Sequence, residues 1–204
     1  MLWSSTTGQI WQEGVIDPAL TKFINSSQPA QKSIIGAGSI FIVHGHDQSD
    51  LNKLTVFLKR LDLTPIILAE SDGAGMTIIE ALESDELGIG NADFGIVLLT
   101  DDDFGYSKRD GIGKTSPRAR QNVIFEMGML MVKLTRRNVA MLVKSNVELP
   151  SDTKGIIYHE YKTDLIEDLG PTLIKRFQRA GLHFSDTQTT TALFPKKQAS
   201  QSNQ

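Results

Sequence analysis

The sequence has 204 residues, of which 40% are hydrophobic and 22% charged, with a formal net charge of −3 and no cysteine. This composition indicates one soluble globular domain of the usual ~100–200 residues with tails, and the missing cysteines exclude disulfide scaffolds, thiolate metal sites and cysteine catalysis. Without an apolar run near the ~18 residues that span a bilayer, a secretory signal or an excess of basic residues, we expect a cytoplasmic protein that binds neither membrane nor nucleic acid.

The two ends of the chain differ in composition from its middle. Residues 1–38 hold both tryptophans and a short apolar pattern, and then drift into Ser, Gln, Pro and Gly, which is typical of an arm followed by a linker. Residues 186–204 are rich in Thr, Ser and Gln without periodicity, so we expect a disordered tail. The sequence therefore predicts one folded domain over residues 39–185.

Within this domain, short β-branched runs alternate with amphipathic helical patterns. Such alternation predicts an α/β fold with a five-stranded parallel sheet and helices on both faces. Ligands of such sheets bind beyond the carboxyl ends of the strands, so the loops after the strands are the candidate sites. We expect Val43, Ile66, Ile96 and Leu98 on buried strands. The predicted strands cover 39–43, 64–68, 93–100, 139–143 and 155–161, and the predicted helices cover 49–61, 76–84, 118–134 and 164–180.

The loop after the first predicted strand contains His44, Gly45, His46 and Asp47. Because it leads into a helix, whose free amide groups and positive dipole end favour an anion, these residues could contact a phosphate or a ribose. Two histidines and an aspartate also suit a metal ion, although no further ligand lies nearby in the sequence. The third interpretation is that Asp47 simply caps the helix. We expect no bound metal.

The loops after the second and third predicted strands are rich in glycine and in acid, respectively. Residues 70–76 include Asp72 and two glycines, and are either a mobile lid or a plain turn. Residues 101–103 are three aspartates, which could bind magnesium but are better read as a solvated rim, with Phe104 and Tyr106 beside it. Because no glycine fingerprint of a P-loop or a Rossmann fold follows any strand, those cofactor sites are not expected.

The helix predicted over 118–134 is almost wholly apolar after Asn122, except for Glu126. At 3.6 residues per turn, Arg118, Asn122 and Glu126 share one stripe, each four residues from the next. Glu126 is therefore either an exposed acid paired with an arginine or a carboxylate in a cleft with an altered pKa.

Six separated motifs of this sequence resemble one family in order and spacing. They are FIVHGHD, PIIL, G-x-TIIE, ADFGIVLLTDDD, RARQNVIFEMG and VELPSD-x-x-GI-x-Y. Together they are similar to the TIR-like domain of bacterial antiphage effectors, which is found fused to STING-like or other cyclic-nucleotide sensors. The resemblance implies a flavodoxin-like TIR fold and, in enzymatic members, cleavage of NAD between nicotinamide and ribose by a glutamate that corresponds to Glu126.

The resemblance also implies roles for other residues. NAD is then a substrate and no cofactor is needed, and Glu126 acts alone because nicotinamide departs as a neutral molecule, unlike the leaving group of an ordinary glycoside. Arg118, Arg120, Asn122 and the 44–47 loop are candidates for binding the ribose and diphosphate, together with Asp72. Phe104 and Tyr106 could stack on a ring. Hydrolysis to ADP-ribose and cyclisation both remain open.

Family members usually carry a sensor domain, and neither tail of this chain is long enough to form one. We therefore expect a homo-oligomer through contacts between TIR domains, with a separate sensor or activator protein as a further possibility. The alternative to an NAD-cleaving enzyme is a non-catalytic TIR-like module for nucleotide binding or homotypic interaction.

Overall fold

The computed structural model describes residues 34–35, 38–67, 92–150 and 157–195. The predicted helix over 76–84, the loop over 70–76 and most of the two tails lie outside these residues. The strands are β1 Ile34–Ile35, β2 Ser39–His44, β3 Thr64–Ile67, β4 Phe94–Leu99, β5 Asp103–Gly105, β6 Ser116–Arg118, β7 Val139–Lys144, β8 Tyr158–Tyr161 and β9 Leu182–His183. The helices are α1 Gln48–Arg60, α2 Gln121–Leu134, α3 Leu165–Arg179 and α4 Asp186–Leu193.

Five of these strands form the central sheet, in the order β3-β2-β4-β7-β8. Every neighbouring pair is parallel, with Ile42 opposite Ile67 on one side and Ile96 on the other. This confirms the predicted five-stranded parallel sheet of a flavodoxin-like fold. Because β2 lies between β3 and β4, the strand order reverses there, and the carboxyl ends of β2 and β4 border the cleft where such sheets bind ligands.

Helices cover both faces of the sheet. On one face, α1, α3 and α4 bury Leu54, Phe177 and Ala192 against Ile96 and Leu98. On the other face, α2 packs against Val97 and Leu99 of β4. All six residues of β4 are buried, because this strand lies at the centre of the sheet. Of the residues expected to be buried, Ile66 is only partly so, because β3 is an edge strand.

The C-terminal part of the domain extends further than predicted. The expectation of disorder from residue 186 onward is wrong for α4, which a capping box of Ser185 and Gln188 begins and which buries Ala192. A Cβ on Gly170 would lie 2.7 Å from Leu193 Cδ2, so glycine lets α4 pack closely on α3. The eight residues of α4 are too few and too polar to show a helical period in the sequence.

A short strand pair, β1 with β9, lies outside the central sheet. Within the predicted linker, Ile34 and Ile35 pair in parallel with Leu182 and His183 of β9.

In the described part of the chain, none of the helices has the length and apolar character needed to cross a bilayer.

Candidate active site at the carboxyl edge of the sheet

The loop from β2 to α1 lies directly against the loop that follows β4. The backbone N–H of His46 donates to Asp102 Oδ1 at 2.9 Å, and the buried hydroxyl of Thr100 donates to Asp102 Oδ2 at 2.8 Å. Gly45 makes this approach possible, because a Cβ at that position would collide with the Asp102 carboxylate. Asp102 therefore connects the loop after β2 to the loop after β4 by hydrogen bonds, at the point where the strand order reverses.

Asp47 caps α1, which is the third of the interpretations that the sequence left open for this loop. Its Oδ1 accepts the N–H of Asp50 at 3.0 Å, and its Oδ2 accepts a hydrogen bond from Lys144 Nζ at 2.8 Å. Burial raises the pKa of Asp47, but the hydrogen bonds from Lys144 and from the helix amides outweigh it and hold the pKa below its ordinary value. Asp47 is thus a charged group turned toward the protein rather than toward a ligand.

Lys144, at the carboxyl end of β7, joins several acids at this edge. Its Nζ lies 3.3 Å from Asp101 Oδ1 and 3.9 Å from Asp50 Oδ2, besides the bond to Asp47. The hydrogen bond to Asp47 raises the pKa of Lys144 to about 12 against the opposing effect of burial, with a further contribution from Asp101. Sequence analysis missed Lys144, although a lysine that ends a buried strand at the carboxyl edge is a signal that could have found it.

Asp50 is the most deeply buried acid of this group, with 5% of its surface exposed. It accepts a hydrogen bond from the Tyr161 hydroxyl at 2.8 Å and lies 3.5 Å from Lys53 Nζ. Burial, followed by the bond to Asp50, raises the pKa of the Tyr161 hydroxyl. The phenol therefore stays protonated as a donor and anchors α1 to β8.

The three consecutive aspartates after β4 have three different environments. Asp101 meets Lys144, Asp102 holds the 44–47 loop, and Asp103 lies in β5 opposite Arg118. Over the described ranges, no three His, Asp or Glu side chains converge in a way that could hold a metal ion.

Residues 103–118 contain a small antiparallel hairpin that the sequence analysis did not predict. Its strands β5 and β6 pair Phe104 with Pro117 and Gly105 with Ser116. The side chain of Phe104 is 76% exposed, and Tyr106 is exposed as well. The hairpin therefore presents these two aromatic residues to solvent, a short way along the chain after Asp102.

This hairpin corrects the predicted start of the third helix. Because residues 116–118 pair with β5, α2 begins at Gln121, and Arg118 is not part of the helical stripe with Asn122 and Glu126. The guanidinium of Arg118 instead donates to both carboxylate oxygens of Glu148, at 3.0 and 3.2 Å. These two residues line a groove of about 470 Å³ between the start of α2 and residues 148–150, which follow β7; it is called the groove beside β7 below.

Glu126 lies one and a half turns into α2 and is partly buried. Val123, Met127 and Leu130 face the sheet, which places Glu126 on a flank of the helix next to Met127. Ile124 lines the groove beside Glu148, and Glu126 is about 200° further round the helix, on the opposite flank toward β2. Asn122 shares that flank, so the predicted stripe holds for these two residues.

Arg120 occupies the N-cap of α2 and reaches the 44–47 loop. Its Nη1 donates to His46 Nε2 at 2.8 Å, which requires the tautomer of His46 with its proton on Nδ1. Arg120 makes no side-chain hydrogen bond to the first amides of α2, and the first turn of that helix contains no acid. The start of α2 is therefore electropositive, unlike the start of α1.

The structure thus brings some of the predicted site residues together and separates others. His46 and Arg120 are in contact, and Gly45 and Asp102 place His46, while the ring of His44 bonds the Gly45 carbonyl at 2.7 Å. Arg118 belongs to the groove beside β7. Asp72 lies outside the described residues.

Residues 39–163 match the family of the CAP12/Pycsar effector protein TIR domain. The chain belongs to this family. It thereby carries the TIR domain of bacterial antiphage effectors, as the six motifs indicated, and the matched region includes both β2 and α2.

Two curated relatives are similar in sequence to this chain. The chain is 39% identical over 155 residues to the uncharacterized protein YuaY of Escherichia coli strain K12, covering 75% of this chain and 49% of that protein. It is 38% identical over 136 residues to protein tirC of Dictyostelium discoideum, covering 63% of this chain and 66% of that protein. The chain therefore spans about half to two thirds of the length of these relatives.

Proposed function

We propose that this TIR domain cleaves NAD between nicotinamide and ribose, with Glu126 as the catalytic residue. The observation that carries the proposal is the position of Glu126, partly buried on the α2 flank that faces β2, one and a half turns from the electropositive start of the helix. Membership in a family of effector TIR domains supports the proposal.

The chemistry requires only one carboxylate. Nicotinamide leaves the ribose as a neutral molecule, so no acid has to protonate it, and the charge that develops is the positive charge of an oxocarbenium-like ribose. Glu126 would accept hydrogen bonds from the ribose hydroxyls and stabilise that positive charge in the transition state. Water then forms the new bond to the same carbon and releases a proton to solvent, which gives ADP-ribose; if a ring nitrogen of adenine forms that bond instead, the product is cyclic.

The diphosphate of NAD is assigned to the start of α2. Arg120 and the first amides of α2 supply positive charge there, and the Nδ1–H of His46 adds a donor beside them. The start of α1 is less suitable, because the Asp47 carboxylate already occupies its amides and would repel an anion. Asn122 would contact the ribose, and Phe104 and Tyr106 would stack on a ring of the substrate.

Regulation by assembly is part of the same proposal. The outward side of α2 exposes apolar groups, with Phe125 58% and Val132 87% exposed, and TIR domains that pack through such surfaces would form a homo-oligomer. A separate sensor or activator protein could favour that assembly in the cytoplasm. NAD serves as substrate, so the proposed reaction uses no cofactor or metal.

The exposed apolar groups also favour the second candidate, a TIR module that interacts without catalysis. The test is nicotinamide release from NAD, measured over a hundredfold dilution series with light scattering on the same samples. The enzyme hypothesis predicts release that rises steeply with assembly. No release at the highest protein concentration, with a crowding agent present, would instead support the interaction module.

A further inference from the structure

We propose that Lys144 is a positioning residue for the active site, whose single ammonium group holds Asp47 and Asp101 and thereby keeps His46 in contact with Arg120. This inference rests on the proposed function and names a residue at the same edge that the motifs did not include. Lys144 lies on β7, two strands away from β2, so its effect on the 44–47 loop is transmitted through acids.

The ammonium group is fixed from three sides. Nζ is 2.8 Å from Asp47 Oδ2 in the first loop, 3.3 Å from Asp101 Oδ1 in the second loop and 3.9 Å from Asp50 Oδ2 on α1. The side chain of Lys144 is 31% exposed, so its head group is partly shielded from water. One cation thus ties the loops that follow β2 and β4 to the end of β7.

The position of His46 depends on this arrangement. His46 directly precedes Asp47, its N–H is held by Asp102 and its Nε2 accepts from Arg120. Asp101, the other close partner of Lys144, directly precedes Asp102. Release of Asp47 and Asp101 would therefore loosen the neighbouring residues His46 and Asp102, and the contact between His46 and Arg120 would weaken.

Lys144 also determines the charge that an anionic substrate meets. Without it, Asp47, Asp50 and Asp101 would lie together at the edge of the cleft, and Lys53, which contacts Asp50, is shared with Asp164. Two diphosphate charges would then approach a cluster of carboxylates. Loss of Lys144 should weaken NAD binding through both the position of Arg120 and this repulsion.

Glu126 should be affected much less. It lies on α2, which Val123, Met127 and Leu130 anchor to the other face of the sheet, away from the Lys144 cluster. The positioning role therefore predicts a raised KM for NAD with a nearly unchanged kcat.

The experiment compares Lys144→Met, Lys144→Arg and Lys162→Met in the full chain. Lys162 is the matched control, since it is an exposed lysine just beyond the end of the neighbouring strand β8. We expect Lys144→Met to raise the KM at least about tenfold with kcat within about threefold, and Lys144→Arg to recover part of the loss. An unchanged KM, or an equal effect of Lys162→Met, would overturn the positioning role.

A second readout does not depend on NAD cleavage. Amide hydrogen exchange of His46, whose N–H is held by Asp102, should be about tenfold faster in Lys144→Met than in the wild type. Unchanged exchange would refute the positioning role even if the protein cleaves NAD. If the wild type releases no nicotinamide, the proposed function fails while the exchange measurement still decides the role of Lys144.

Asp101→Asn keeps the test valid if Lys144→Met does not fold. This substitution removes one partner of Lys144 from a side chain that is 52% exposed, so the fold should tolerate it. It should change the KM and the His46 exchange in the same direction but less. No change in either quantity, in a variant that folds, would contradict the proposal.

Discussion

Two helices, α1 and α2, begin at the same edge of the sheet, but the charged residues at their starts differ in sign. The start of α1 is acidic and occupied, because Asp47 caps it, Asp50 lies in its first turn and one lysine, Lys144, contacts both acids. The start of α2 carries Arg120, lacks an acid in its first turn and receives no side-chain cap from its own N-cap residue. The fold places both helix dipoles at the cleft, but the capping residues decide which of them can receive an anion.

The largest effect should come from the acid on α2. Glu126→Gln keeps the size of the side chain but removes the negative charge that stabilises the ribose cation, so nicotinamide release should fall by about 10³-fold or more. The matched control is Glu148→Gln, which removes an exposed acid beside the opposite flank of α2 and should change the rate less than about twofold. Equal losses in the two variants would mean that Glu126 has no special role.

Core packing beneath the two helices should give the next largest effect. Leu98 faces α1, and Leu99 faces α2, and both are almost completely buried. Each change to alanine should cost about 2–4 kcal/mol in the free energy of unfolding, measured by urea denaturation. Ile66→Ala on the edge strand should cost about 1–2 kcal/mol, because that side chain is only partly buried. A larger cost at Ile66 than at Leu98 would contradict the central position of β4.

The two nearby arginines sharpen the comparison at the start of α2. Arg120→Gln should raise the KM for NAD by about tenfold, equivalent to ~1.4 kcal/mol, because a charged contact to the diphosphate is lost. Arg118→Gln should change the KM less than about threefold, since Arg118 is held by Glu148 in the groove beside β7. Steady-state kinetics of both variants would show whether the two arginines differ as their positions require.

The smallest effect concerns how the stabilisation by the ion pair between Lys144 and Asp47, at the start of α1, depends on pH. The pKa of Lys144 is raised from 10.5 to about 12. Its contribution to the free energy of unfolding is therefore fully present below pH 10.5 and is lost as the pH rises through about 12. The pKa of Asp47 is lowered from 3.8. Its contribution to the free energy of unfolding is therefore present above pH 3.8 and is lost as the pH falls through the lowered pKa. The stability difference between wild type and Lys144→Met should therefore be level, at about 1 kcal/mol, between these limits. A difference that changes between pH 5 and 9 would point to another group.

Most of the fold could be predicted because its signals are local. Buried parallel strands such as β4 are continuous apolar runs, and α1, α2 and α3 show a helical period over 13 to 15 residues. The hairpin of β5 and β6 and the helix α4 were not predicted, because short elements depend on contacts with distant parts of the chain. The β5–β6 pairing in turn removed Arg118 from the stripe in which its spacing had placed it.

The candidate site could be predicted only in part, for the same reason. The position of a loop after a strand predicted the 44–47 loop as part of the site, and a stripe of polar residues on an apolar helix predicted α2. The direction in which a side chain points depends on its partners, and the sequence did not show that Lys144 would turn Asp47 away from the cleft. It also did not show that His46 would meet Arg120, 74 residues further along the chain.

The central claim is that NAD binds at the start of α2 rather than at the start of α1. Titration of NAD into the Glu126→Gln variant, which should bind NAD without consuming it, tests this by NMR of the backbone amides. The account predicts concentration-dependent shifts at Asn122 and Val123 that exceed those at Ser49, Asp50 and Leu51. Shifts confined to the start of α1, or to Glu148 and Leu149 in the groove beside β7, would contradict it.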